Sequence, residues 1–197
     1  MAGTAKTYTS GATISGPLDI WFDVAVPGAG AAPTLHTDGT PDATANPSAV
    51  HAGMLKTGGG VQVNAEIQDK TSDNLIAPYE TTLLTSQMIV TGDLLQLASQ
   101  AILKQIAPGA TAASVTGKTG VTFGAITQPD YTVLLGVATQ KTTTKFWAVI
   151  LYNAYQSKSF EMALNRKEDA AAACEFKGLA VTSRATADQV GAIWIDT

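Results

Sequence analysis

The chain has 197 residues, enough for one ordinary domain with a continuous core, and 45% of them are hydrophobic. Charged residues make up only 14%, with a net charge of −4, against roughly a quarter in typical soluble domains. Much of the surface is therefore neutral Thr, Ser, Asn and Gln or is hidden against other subunits. An acidic balance with no Lys/Arg cluster beyond Arg166-Lys167 excludes a nucleic-acid clamp.

Cys174 is the only cysteine, so the chain is not a disulfide-stapled secreted domain. Residues 1 to 16 lack the basic start and apolar run of a signal peptide. The longest apolar stretch, Phe146 to Tyr155, falls short of a membrane helix. These features predict a soluble protein made in a cytoplasm, without membrane insertion.

Leu18, Ile20, Phe22, Val24 and Val26 alternate with Asp19, Trp21, Asp23 and Ala25, the period-two pattern of a strand with one face buried. From Pro27 to Ala49 the chain turns to Gly, Ala, Pro, Thr, Asp and Asn, with Leu35 its one large aliphatic side chain. Such a length predicts a functional loop, read here as part of an extended loop at 27–58 and as an arm that orders on a neighbouring subunit. After Gly58-Gly59-Gly60 comes a second strand, with Val61, Val63, Ala65 and Ile67 expected inward and Gln62, Asn64, Glu66 and Gln68 outward.

A third strand is predicted over Tyr79 to Val90. Thr91-Gly92-Asp93 then reads as the start of a helix near residues 93–106, with Thr91 capping it and Pro108-Gly109 ending it. Strands follow at Val121–Ile126, Tyr131–Ala138, Phe146–Tyr155, Phe160–Leu164, Ala172–Val181 and Ala192–Asp196, with turns at Thr139–Lys145 and Asn165–Asp169. Phe146 to Tyr155 is apolar on both faces, as a central strand covered on both sides would be. The expected class is mainly β: one β-sandwich or barrel domain over 1–197 with one flanking helix.

Chemistry is hard to find. His36 and His51 lie in or at the end of the Gly/Pro-rich loop with no second ligand at metal spacing. Cys174 falls in an alternating strand, where a small buried thiol is ordinary. Gly117-Lys118-Thr119 resembles the end of a phosphate-binding loop, but the position five before Gly117 is Ala112 and a strand follows instead of a helix. No catalytic, cofactor or metal site is expected.

Taken in order, Gly16-Pro17-Leu18-Asp19-Ile20-Trp21, Gly58-Gly59-Gly60-Val61-Gln62-Val63, Thr91-Gly92-Asp93-Leu94-Leu95, Tyr155-Gln156-Ser157-Lys158-Ser159-Phe160 and Arg166-Lys167-Glu168-Asp169 with Cys174-Glu175-Phe176 make the chain resemble the major tail protein, or tail tube protein, of long-tailed bacteriophages with non-contractile tails. The resemblance implies a β-sandwich with the tail-tube fold that forms hexameric rings, whose strands join into one barrel and whose rings stack head to tail into a tube. It also implies tape-measure, tail-tip and tail-terminator proteins as partners, genomic DNA passing through without sequence-specific binding, assembly in a host bacterial cytoplasm and residence in the virion tail. The loop from Pro27 to Ala49 departs from the family in length and Gly/Ala/Pro content. Gln62, Asn64, Glu66 and Gln68 are candidates for a lumen-facing row. Leu35, His36, Asp38, Asp42 and Asn46 are candidates for a contact between rings. Rival readings are the inner tube of a contractile tail or secretion system and, from another class, a carbohydrate-binding module. The latter is weakened because Trp21, Trp147 and Trp194 sit within apolar strands.

Overall fold

A computed structural model of the chain describes residues 18–55, 59–70, 80–94, 99–124, 129–139, 145–165 and 168–196. The fold is mainly β and built from antiparallel pairs in a sandwich-like arrangement. In chain order the strands are β1 (Asp19–Phe22), β2 (Val50–Met54), β3 (Gly60–Lys70), β4 (Glu80–Leu94), β5 (Ala110–Val115), β6 (Lys118–Phe123), β7 (Thr132–Thr139), β8 (Phe146–Gln156), β9 (Met162–Asn165), β10 (Glu168–Gly178) and β11 (Gly191–Ile195). One helix, α1 (Gln100–Ile106), lies between β4 and β5.

The main sheet runs β2-β1-β7-β8-β10-β4-β3, with β11 added to β8 and β9 to β10. Leu55, just past β2, bridges antiparallel to Leu94 at the end of β4. The sheet therefore curls until its β2 edge meets β4. Inside the curl lie Leu18, Ile20 and Phe22 of the first strand region, Val90 and Leu94 of β4, Val149 and Leu151 of β8, and Cys174 and Phe176 of β10, joined by Ile102 and Ile106 of α1. Phe22 and Phe176 meet at 5.3 Å between ring centres in a tilted contact.

β8 is the axis of this arrangement. Its odd residues Val149 and Leu151 face the inner core, while Phe146, Ala148, Ile150 and Tyr152 face a second core on the outer side with Leu135 and Val137 of β7. One edge of β8 pairs with β7; the other is shared, with β11 against residues 147–151 and β10 against 154–156. The strand expected to be covered on both faces is so covered.

Three expectations need correction. The alternation from Leu18 to Val26 does not make one long strand. Asp23 takes a left-handed backbone conformation (φ 54°), its N–H donating to Thr132 Oγ1 while that hydroxyl donates back to Asp23 Oδ1. The chain turns there, in a conformation Asp tolerates better than most residues. Second, Thr91, Gly92 and Asp93 do not open a helix. They pair with Glu175, Cys174 and Ala173 of β10, and the helix starts at Gln100 after Ser99. Sheet pairing across a buried core outweighs a local capping signal worth about 1 kcal/mol. Third, Val63 is not inward: it is 65% exposed, and Ala65 is exposed as well.

The segment Ala110–Val115, not expected as a strand, pairs with β6 in a separate hairpin. Gly117 sits in its turn with φ 74°, so the phosphate-loop lookalike is a hairpin tip where glycine supplies the left-handed conformation. Gln100 ties the helix to this hairpin by donating to Ala113 O at 2.7 Å and Gly120 O at 2.6 Å. Arg166 and Lys167 of the expected turn lie outside the described residues.

Because Phe176 is 1% exposed and central to the inner core, Phe176→Ala should cost about 3–5 kcal/mol of folding free energy. Chemical denaturation should show a lower midpoint with an unchanged slope.

Candidate functional site

Residues with chemical reactivity are dispersed. Cys174 is buried, its thiol pushed up to about 12 by burial and then by the nearby Asp93 carboxylate, and its Sγ lies 3.1 Å from Gly92 O. His51 stacks on Trp21 with ring centres 4.4 Å apart and sits 3.7 Å from Asp19 Oδ1. His36 is 4.0 Å from Asp42 Oδ2. The two histidines belong to different segments, and among the described residues no three metal-ligating side chains converge.

The informative surfaces are strand edges. β3 and β4 form a two-stranded ribbon in which Gln62 opposes Ile89, Asn64 opposes Gln87, Glu66 opposes Thr85 and Gln68 opposes Thr82, with a bulge after Glu66. All four candidate lumen residues are exposed and share one face of β3. The other face carries the exposed Val63 and Ala65. Hence β3 is exposed on both faces from Gln62 to Glu66, although its sequence alternates as a half-buried strand does, while Ile89 and Met88 opposite it on β4 stay buried. Among the described residues β3 pairs only with β4, and β11 only with β8. The β11 segment adds Ile193 (42% exposed) and Ile195 (58%). A groove of about 310 Å³ between the ribbon and β11 is lined by Val63, Met88, Val190 and Ile193 among others.

The loop from Pro27 to Ala49 is folded back as a strap over the chain's own outer core. Leu35 packs on that core and makes an isolated bridge to Pro41. Gly39, at φ 83°, lies so close to the Phe146 ring that a Cβ there would approach it to 3.0 Å, which explains the glycine at the tip. Asn46, 6% exposed, is an internal peg: its Nδ2 donates to Asp42 O at 2.9 Å and its Oδ1 accepts from Ala25 N at 3.0 Å. Of the five residues expected to touch another ring, Leu35 and Asn46 are thus engaged within the subunit. His36 and Asp38 are exposed at the tip, and Asp42 is half-buried. Asp38 accepts from Thr40 N and Oγ1, and Asp42 from Thr44 N and Ala45 N, which holds both carboxyls below their usual range.

A latch that sequence reading did not find secures the root of the strap. Arg184, before a 3₁₀ turn at Thr186–Asp188, donates to Pro27 O at 2.9 Å and to Asp188 Oδ2 at 2.6 Å, and its guanidinium lies 3.9 Å from the centre of the Tyr152 ring. Asp188 also accepts from Tyr152 Oη at 2.6 Å and Gly30 N at 3.2 Å. Burial and then the Asp188 bond raise the Tyr152 hydroxyl to about 12. The same tyrosine bond, then Arg184, lower Asp188 from 3.8. Only the i,i+4 spacing of Arg184 and Asp188 hints at this in the sequence.

The far end of β8 carries a second feature without a sequence signal. Phe123 (62% exposed) and Tyr131 (46%) stand beside Tyr155, which meets Tyr131 edge-on at 6.3 Å. With Phe160, Lys158 and Lys177 they border or line a groove of about 750 Å³.

Arg184→Ala should speed amide hydrogen exchange across residues 28–46 while β8 stays protected. Asp188 has a depressed folded value, so its contribution is present above 3.8 and is lost as pH falls through that lower value. Acidification through that range should therefore open the strap of the unmodified protein in the same exchange measurement. No protein-family model matches the chain, and neither does any curated protein sequence, so the functional reading rests on the residues themselves.

Proposed function

We propose that the chain is the repeating subunit of a bacteriophage tail tube, forming hexameric rings that stack head to tail around a channel for genome delivery. The observation that carries this reading is the pair of exposed strand edges on one subunit. The β3 edge bears Val63 and the β11 edge bears Ile193 and Ile195, and each has a partner on one side only among the described residues. Exposed apolar edges are an aggregation hazard in a monomer. Two different edges on the same subunit make a head-to-tail contact, and such contacts either close into a ring or run on as a filament. Ring closure pairs these two edges and removes them from solvent.

The polar row Gln62, Asn64, Glu66 and Gln68 supplies the chemistry such a channel needs. Neutral and acidic side chains offer phosphates no cation to hold, so DNA slides past without being trapped. In this role the protein has no catalytic residue and no cofactor. Its partners are copies of itself and the tape-measure, tail-tip and tail-terminator proteins, and it resides in the virion tail.

Negative-stain microscopy of the purified protein at high concentration should reveal rings or tubes with a central channel. Particles that remain single at every concentration would count against the reading. Val63→Lys should leave the circular dichroism spectrum and melting temperature near those of the parent while shifting sedimentation from rings to monomers.

A further inference from the structure

The two ends of β8 carry complementary chemistry. At its start the strap tip carries Asp38 and Asp42 on either side of Gly39, which is packed against the Phe146 ring, with His36 4.0 Å from Asp42 Oδ2. Both carboxylates are fixed by backbone N–H groups of their own turns. At its end lies the aromatic groove, with Phe123, Tyr155 and Phe160 in its apolar lining and Lys158 and Lys177 its only charged members among the described residues. Lys177 Nζ is 3.3 Å from Glu175 Oε1, and that carboxylate also accepts from Ser157. Lys158 is exposed. Between Phe146 and Gln156 the strand spans ten residue steps, or about 34 Å at roughly 3.4 Å per residue. Acidic tip and basic groove therefore face away from each other and cannot meet within one subunit.

We propose that the groove at the end of β8 receives the strap tip of a second copy, so that Asp38 and Asp42 of one subunit sit against Lys158 and Lys177 of the next along the axis of β8. This rests on the reading that the chain packs on copies of itself, and it names the surfaces of the axial contact as distinct from the strand edges that close a ring. Gly39 and Pro41 are buried within their own chain, so the tip presents Thr37 and Asp38, and charge is what suits the groove to it: the exposed Lys158 takes the Asp38 carboxylate while Lys177, 3.3 Å from Glu175, stands beside it, an arrangement that sets polarity and register more than raw affinity. The strap's anchorage serves the same end, because a tip pinned by Asn46, Gly39 and the Arg184 latch loses little freedom on docking.

The test uses two charge-reversed forms of the full chain, K158E/K177E and D38K/D42K, with Asp38→Asn/Asp42→Asn as a control that keeps the turn's hydrogen-bond acceptors. Each reversed form alone should give rings whose stacks are shorter by roughly tenfold or more in electron micrographs, since like charges would face each other. Mixing the two reversed forms should restore stacks, because every tip then meets a groove of opposite sign. Unchanged stacks in both forms would overturn the proposal. So would loss of stacking in both forms without recovery on mixing while circular dichroism stays native. Single-file chains without rings that respond to the reversals as described would uphold the tip and groove while removing the ring. Rings that form normally and stack regardless of these charges would do the opposite.

Discussion

The fold is organised around keeping water off both faces of β8. A strand reading Phe-Trp-Ala-Val-Ile-Leu-Tyr-Asn-Ala-Tyr-Gln cannot serve as the wet-backed wall of an ordinary two-layer sandwich. Its inner face is covered by curling the sheet until Leu55 meets Leu94, with α1 placed over the same core. Among the described residues its outer face has no second sheet of comparable size to meet. The strap and the segment from Val181 to Trp194 take that place, which is why a loop so poor in large side chains still holds a fixed path. Leu35, Ala49 and Gly39 against the Phe146 ring supply apolar contact, and hydrogen bonds add to it: Asn46 at one point, Arg184 and Asp188 at another. A polar residue buried at a strap's turning point is tolerable because its donors and acceptors are matched, and removing one partner would leave the other stranded.

Sharing one edge of β8 between β10 and β11 has a consequence for the surface. Where β10 leaves β8, β4 continues beside β3 as a ribbon without the curled sheet behind it, and β11 occupies the vacated stretch of β8. The fork creates two free edges from one strand's divided loyalty. Packing of the core and exposure of the edges are thus the same geometric fact. A substitution that weakened β11 pairing would disturb the outer core through Trp194 and Ala192 as well as the edge.

The sequence exposes the parts of this design that repeat with a simple period. β7, β8, β10 and β11 are legible because their apolar residues alternate or run continuously, and the two-faced character of β8 is written in its composition. Alternation reports which face could be buried, though, and not whether anything covers it. Val61, Val63 and Ala65 alternate as cleanly as Leu18, Ile20 and Phe22, yet Val63 is exposed because the inner core takes in Met88 opposite it on β4 and stops short of β3 there. The helix start was misplaced for the converse reason: Thr91-Gly92-Asp93 has the local chemistry of a cap, while the pairing that claims it comes from β10, about 80 residues away. The latch and the aromatic groove were invisible because each joins segments with no local pattern between them. Gly30 and Asp188 are 158 positions apart.

The two proposed classes of contact also differ in physical kind, and that difference bears on how copies would assemble. Strand edges offer many weak, equivalent hydrogen bonds and side chains of little character, so they specify closeness better than alignment. Charged tips and aromatic pockets offer few contacts with strong directional preference, and they discriminate against the wrong register through like-charge repulsion. A chain with only 14% charged residues can reserve a few of them for such a purpose. In the proposed assembly lateral association would supply most of the buried area and axial association the polarity. Salt should then weaken stacking within the range where it leaves lateral association intact, because screening at about 8–10 Å acts on the exposed carboxylates and lysines and not on paired apolar edges.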